Sequence, residues 1–136
     1  MNNSSLPLPG QIDELLVFLS DFKAEGYDPF LRQPGLHLAL HGGLQSTPAE
    51  YKPEVIEFFG LIAQDCWLDH DYKPEEVSRK LSDGKSISSA KLSDLRSMLT
   101  WCLRGERFNE GHWGNVITNG SLWKILERLK TLRDEM

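Results

Sequence analysis

A chain of 136 residues, 40% hydrophobic and 26% charged, is sized for one domain with one core, and such a domain buries roughly two-thirds of its unfolded surface without help from a disulfide or metal. A formal charge of −5 counts against general nucleic-acid binding through a basic surface, and no apolar run reaches the ~18 residues of a membrane span. The opening MNNSSLP lacks the basic start and apolar stretch of an export signal, so a soluble, cytoplasmic protein is expected, with residues 1–10 a flexible tail and 11–136 one helical domain.

Ile12, Leu15, Leu16, Leu19 and Phe22 recur at helical spacing and predict an amphipathic helix over 11–24, stopped by Gly26. Pro29, Pro34, Gly35, Gly42, Gly43 and Pro48 then predict a connector from Tyr27 to Pro53, with at most a short helical turn or strand in Leu36 to Leu40. Pro53 suits the first turn of a second helix, in which Val55, Ile56, Phe59, Ile62, Ala63, Cys66 and Trp67 form a face broad enough for a central position. Asp69 to Tyr72 make a polar link, Pro74, Glu75 and Glu76 open a short helix ending near Leu81, and Asp83-Gly84 marks a turn. Ser88 or Ser89 is placed to cap a fourth helix bearing Leu92, Leu95, Leu99, Cys102 and Leu103 as far as Arg104. Gly111 to Thr118 can make two helical turns stopped by Asn119-Gly120, and Ser121 can cap a last helix with Leu122, Ile125, Leu126, Leu129 and Leu132 on one face. The expected fold is all-α, a small single-domain orthogonal bundle of five or six helices, with Cys66 and Cys102 as reduced core thiols.

After Leu103 the pattern changes to Arg104-Gly105-Glu106-Arg107-Phe108-Asn109-Glu110-Gly111-His112-Trp113, a dense mix of charges, glycines and aromatics. With LSDLRSMLTWCL before it and GNVITNGSLWKILERL after it, this string resembles the prokaryotic family called domain of unknown function 6508. The pattern of that family reads RGERFxxGHW, then a Gly, then a Leu-rich helix ending in Arg-Leu. The likeness is specific over about residues 89–130, and an aromatic and acidic stretch like Trp67 to Tyr72 also precedes the motif helix. Lys91 stands where the family pattern has a helix-capping Asp. The resemblance implies a small helical fold in a bacterial or archaeal cytoplasm and names no chemistry.

The residues of the string admit a structural and a functional account. Structurally, Arg104 and Arg107 are three apart, so on a continuing helix they share a face and can donate to its terminal carbonyls or to Asp69 and Asp71. Glu106 can anchor one of them, with Phe108 and Trp113 in the core and the glycines permitting a tight reversal. Functionally, two guanidiniums and an imidazole near a helix start at Gly111 to Trp113 can hold a phosphate or carboxylate. His112 can also carry a proton, with Glu106 or Asp71 setting its tautomer.

Other constellations carry less. His37 and His41, and Cys66 and His70, have an i, i+4 spacing that zinc could use, but breakers surround the first pair and Cys66 sits on an apolar face, so no metal and no cofactor is expected. Trp101 and Trp123 fall beside their helical stripes and can mark a groove or dimer interface. Phosphate loops, Gly-x-Ser-x-Gly elbows, His-Glu-x-x-His and paired Cys-x-x-Cys are absent. Residues 1–90 hold 7 Lys and Arg against 14 Asp and Glu, whereas 91–136 hold 8 against 6. The reading taken forward is a binding or interaction module that recognises an anionic ligand or protein segment through Arg104, Glu106, Arg107, His112, Trp113, Asp69 and Asp71, as a monomer or weak homodimer and away from membranes. Its alternatives are an enzyme with His112, aided by Glu106, as acid/base and the arginines on an anionic substrate, and an acidic protein that imitates nucleic acid or docks on a basic partner through residues 1–90.

Overall fold

The computed structural model describes residues 6–38 and 42–136. Its elements run α1 (Pro9–Leu16), α2 (Leu19–Lys23), β1 (Phe30–Arg32), β2 (Gly35–Leu38), β3 (Leu44–Thr47), β4 (Glu50–Tyr51), α3 (Pro53–Ile62), α4 (Pro74–Ser82), α5 (Leu92–Arg104), α6 (His112–Thr118) and α7 (Ser121–Asp134). The chain is mostly helical, but the all-α expectation needs correction: the described residues form seven α-helices rather than five or six, and two antiparallel strand pairs lie between α2 and α3. Gly35 of β2 stands opposite Thr47 of β3, and Phe30 of β1 opposite Tyr51 of β4. Strands of two to four residues are too short to display the alternation by which a strand is read from sequence.

The helix predicted over 11–24 breaks at Val17 and Phe18. The break turns Phe18 inward, its ring centroid 5.8 Å from Phe22 and 5.4 Å from Phe58. Burying a phenyl ring is worth roughly 2 to 3 kcal/mol, enough to offset one or two lost helical hydrogen bonds. The inner stripe is therefore Ile12, Leu15, Phe18 and Phe22, and the expected Leu16 and Leu19 are only half-buried. The helix also starts earlier than expected, with Pro9 at its first turn and the Leu8 N–H donating to the Gln11 side chain at 2.8 Å.

On α3, Val55, Phe58, Phe59 and Ile62 follow the i, i+3, i+4, i+7 rule and are buried, whereas Ile56, one position off that stripe, is 56% exposed. The centre of the molecule is not α3 but the pair α5 and α7. These two helices pack on each other and between them contact every other helix: α7 takes α1, α2 and α6, and α5 takes α3, α4 and α6. Leu95, Met98, Leu99 and Cys102 on α5 meet Leu122, Ile125, Leu126 and Leu129 on α7 in one buried cluster. Cys66 and Cys102 are free thiols, and burial pushes the Cys102 pKa up to about 12.

The helix starts are capped differently from expectation. Ser88 and Ser89 lie in a 3₁₀ turn ahead of α5 and donate to the carbonyls of Lys85 and Ser86. Lys91 is the N-cap, and its N–H donates to the Asp94 carboxylate at 3.0 Å, so a carboxylate three residues downstream serves where the family pattern has Asp at the cap. Ser121 is the first residue of α7, and its N–H donates to the Asn119 side chain at 2.9 Å. The Thr100 hydroxyl on α5 accepts the Asp69 N–H at 2.9 Å and donates to the Arg96 carbonyl at 3.0 Å. With Trp67 fully buried, this contact fixes the segment after α3 against the helix that leads into the motif.

Candidate functional site

The motif begins where α5 tightens into a 3₁₀ turn over Gly105–Arg107 and continues through a reversal into α6. Gly111 makes the reversal possible: it is the N-cap of α6 at φ 93, a left-handed backbone that side-chain-bearing residues avoid. This conformation aims the first N–H groups of α6 back at the turn. Glu106 receives them, accepting the Gly111 N–H at 3.0 Å and the Trp113 N–H at 2.8 Å. Its oxygens also accept the Tyr51 hydroxyl from β4, at 3.0 Å. Glu106 is thus the internal anion of this helix start, where a carboxylate satisfies N–H groups that an external phosphate would otherwise meet. The expectation that it anchors an arginine is corrected on this geometry.

Tyr51 and Glu110 were not legible as parts of the site. Burial, and the hydrogen bond to Glu106, raise the Tyr51 phenol pKa well above its ordinary value, so it remains a donor. Its oxygen also accepts the Gly114 N–H at 3.4 Å. Glu110 accepts the Ala49 N–H at 2.6 Å, tying the motif loop to the segment ahead of β4. The rings form a continuous stack: Phe30 on Tyr51 at 5.0 Å, Tyr51 against Trp113 at 5.3 Å, and Trp113 on Phe59 at 4.3 Å with nearly parallel planes. Trp113 Nε1 donates to the Leu103 carbonyl at 2.9 Å, satisfying one of the open carbonyls at the end of α5.

His112 is 8% exposed and packed between α5 and its own helix, edge to face with Trp101 at 4.7 Å. A methyl group at Gly105 would stand 2.3 Å from His112 Nε2, so the imidazole lies directly on the glycine backbone, and among the described residues Nε2 has no hydrogen-bond partner. Burial lowers the His112 pKa, opposed by Glu106 and by the Trp101 backbone. The folded state therefore favours the neutral ring. Below the ordinary value of 6.5 the unfolded chain binds a proton that the folded chain resists, so stability must fall as pH drops through that value and level off below the folded pKa. Urea unfolding of the wild type and of His112→Gln from about pH 7.5 to about pH 5.5 reads this directly. A difference between the two that stays constant over the window would remove His112 as its source.

Arg104 and Arg107 form no ion pair with a carboxylate among the described residues. The Arg104 guanidinium sits over the Tyr72 ring at 5.6 Å, and Arg107 is exposed. Both border a hollow of about 410 Å³ lined by Leu68, Leu103, Glu106 and Trp113. Asp69 and Asp71 are not in it. They line a second hollow with Tyr72, and Asp69 is held by the Ser97 hydroxyl at 2.6 Å and by the Asp71 N–H at 3.0 Å. The structure therefore brings together Arg104, Glu106, Arg107 and Trp113 around one hollow, buries His112 against Gly105 and Trp101, and sets the two aspartates in a separate hollow with Tyr72. Phe108, expected in the core, is 85% exposed beside Arg107 because the 3₁₀ turn carries it away from α6.

Among the described residues no group of three or more His, Cys, Asp or Glu could hold a metal ion. His41 lies outside those residues, and His70 is exposed beyond the end of α3. Among the described residues no helix is long and apolar enough to cross a membrane. No curated protein and no solved structure proves similar enough to add to the assignment. The family of unknown function DUF6508, however, matches residues 8–135, nearly the whole chain, and the chain belongs to that family.

Proposed function

We propose that this protein is a binding module that recognises an anionic ligand or an acidic protein segment at the hollow bordered by Arg104 and Arg107. One observation carries the reading: among the described residues the guanidiniums of Arg104 and Arg107 form no ion pair with a carboxylate, and both border a hollow lined by Leu68, Leu103, Glu106 and Trp113. Arginine presents a planar fork suited to carboxylate and phosphate, and is less strongly hydrated than lysine, so an unpaired pair on a fixed turn favours such a partner. In this reading Glu106 and His112 hold the turn and do not touch the ligand. The enzyme alternative is less well supported, because His112 Nε2 faces the Gly105 backbone rather than the hollow.

Titration with inorganic phosphate, and separately with a glutamate-rich peptide, followed by NMR, tests the reading. The amides of residues 103–107 and the Trp113 indole N–H should shift first. Arg107→Ala, at an exposed position, should weaken binding about tenfold with the unfolding curve unchanged. Shifts scattered over the whole surface, or wild-type affinity in both Arg104→Ala and Arg107→Ala, would remove the site. Movement by the peptide alone assigns the hollow to a protein segment.

A further inference from the structure

A second surface, made of other residues and independent of the arginine hollow, lies between α1–α2 and α3. Glu14 of α1, Val17 at the break and Asp21 of α2 line one wall, and Glu54 and Glu57, three apart on α3, line the facing wall. Between the walls runs a groove of about 430 Å³ floored by Phe18 and Leu61, with Val17 on its edge at 69% exposure. Among the described residues none of the four rim carboxylates forms an ion pair. Glu54 accepts the Tyr27 hydroxyl at 2.7 Å. The cations nearby are otherwise engaged: Lys23 pairs with Glu127, and Lys52 lies over the Tyr27 ring at 5.1 Å.

We propose that this groove is a docking site for a basic amphipathic helix of a partner protein. The two facing walls and the apolar floor between them offer a seat into which a helix lays its apolar face, and carboxylates on both rims match Lys or Arg flanking that face. A metal ion is the wrong occupant, because these carboxylates do not converge on one point among the described residues and the floor between them is hydrocarbon. Part of the acidic excess of residues 1–90 has a place in this account: four of its fourteen acidic groups rim one groove. An acidic surface that merely kept the protein soluble would need no apolar floor.

The full-length protein titrated with a synthetic amphipathic peptide of leucine and lysine, about fifteen residues long, provides the test. Amides of Glu14, Val17, Phe18, Glu57 and Leu61 should shift in a saturable manner. A scrambled peptide of the same composition, which keeps the charge and loses the apolar face, should bind at least about tenfold more weakly. The double variant Glu14→Lys with Glu57→Lys, and separately Val17→Asp, should each lose about tenfold or more while their thermal melts stay at the wild-type value, since all three positions are exposed. Equal binding of the scrambled peptide, unchanged affinity in both variants, or shifts outside the groove would each overturn the proposal. So would a wild-type dimer in sedimentation that Val17→Asp dissociates, because the occupant would then be a second copy of this chain.

Discussion

Glu106→Ala should lower the unfolding free energy by about 2 to 4 kcal/mol, the largest loss expected from any polar side chain of the motif. The carboxylate is the common acceptor for the N–H groups of Gly111 and Trp113 and for the Tyr51 hydroxyl, so its removal strands three donors at once. Hydrogen bonds to a charged acceptor are worth roughly 1.5 to 3 kcal/mol each, but Glu106 is only half-buried and water can replace part of what is lost, which sets the range. Glu106→Gln should fall between, since a carboxamide offers one acceptor oxygen and turns its NH₂ toward an N–H that needs an acceptor. Arg107→Ala, exposed and unpaired, should stay within about 0.5 kcal/mol of wild type. Urea unfolding separates these outcomes, and amide exchange at Gly111 and Trp113 should quicken in both Glu106 variants. A stable Glu106→Ala that also loses affinity for phosphate would contradict this scheme, and would return the carboxylate to the ligand-binding groups.

What could be read from the chain follows from how far each interaction reaches. The stripes of α3, α5 and α7 are local patterns of period 3.6, and most of their residues are buried as spacing required. Phe18 is the instructive exception: its inward turn depends on Phe58, forty residues away, and no local pattern contains that partner. A short strand was allowed in Leu36 to Leu40, where β2 lies, but its pairing and the other three strands were not legible, since each strand is two to four residues long and pairs across a gap that holds Gly or Pro. Within the site, the motif itself marked Arg104, Glu106, Arg107 and Trp113 as neighbours. It could not show that Tyr51, fifty-five residues earlier, donates to Glu106, nor that the 3₁₀ turn would swing Phe108 into solvent. Asp69 and Asp71 were grouped with the arginines by charge, but the hydrogen bonds of Asp69 to Ser97 and Thr100 hold that segment on α5, in a hollow separate from that of the arginines.

Gly105→Ala should destabilise the protein by about 1 to 3 kcal/mol, and that cost should vanish or reverse when His112 is also removed. Gly105 has φ −60 and ψ −26, a right-handed helical conformation that alanine adopts freely. Intrinsic propensity would therefore make Ala the better residue at such a position by up to about 1 kcal/mol. Against it stands the His112 imidazole, which a new Cβ would meet at 2.3 Å from Nε2 and 2.4 Å from Cδ2. A side-chain tip can often swing away, but this ring is held edge to face by Trp101 and is 8% exposed, so it can yield only by disturbing α5 or α6. In a His112→Ala background the obstruction is gone and only the propensity term remains, so Gly105→Ala becomes neutral or stabilising. A four-member cycle of wild type, the two single variants and the double variant measures the coupling directly. A coupling energy near zero would mean that the imidazole does not rest on Gly105, and the paired glycine and histidine of the motif would then need a different explanation.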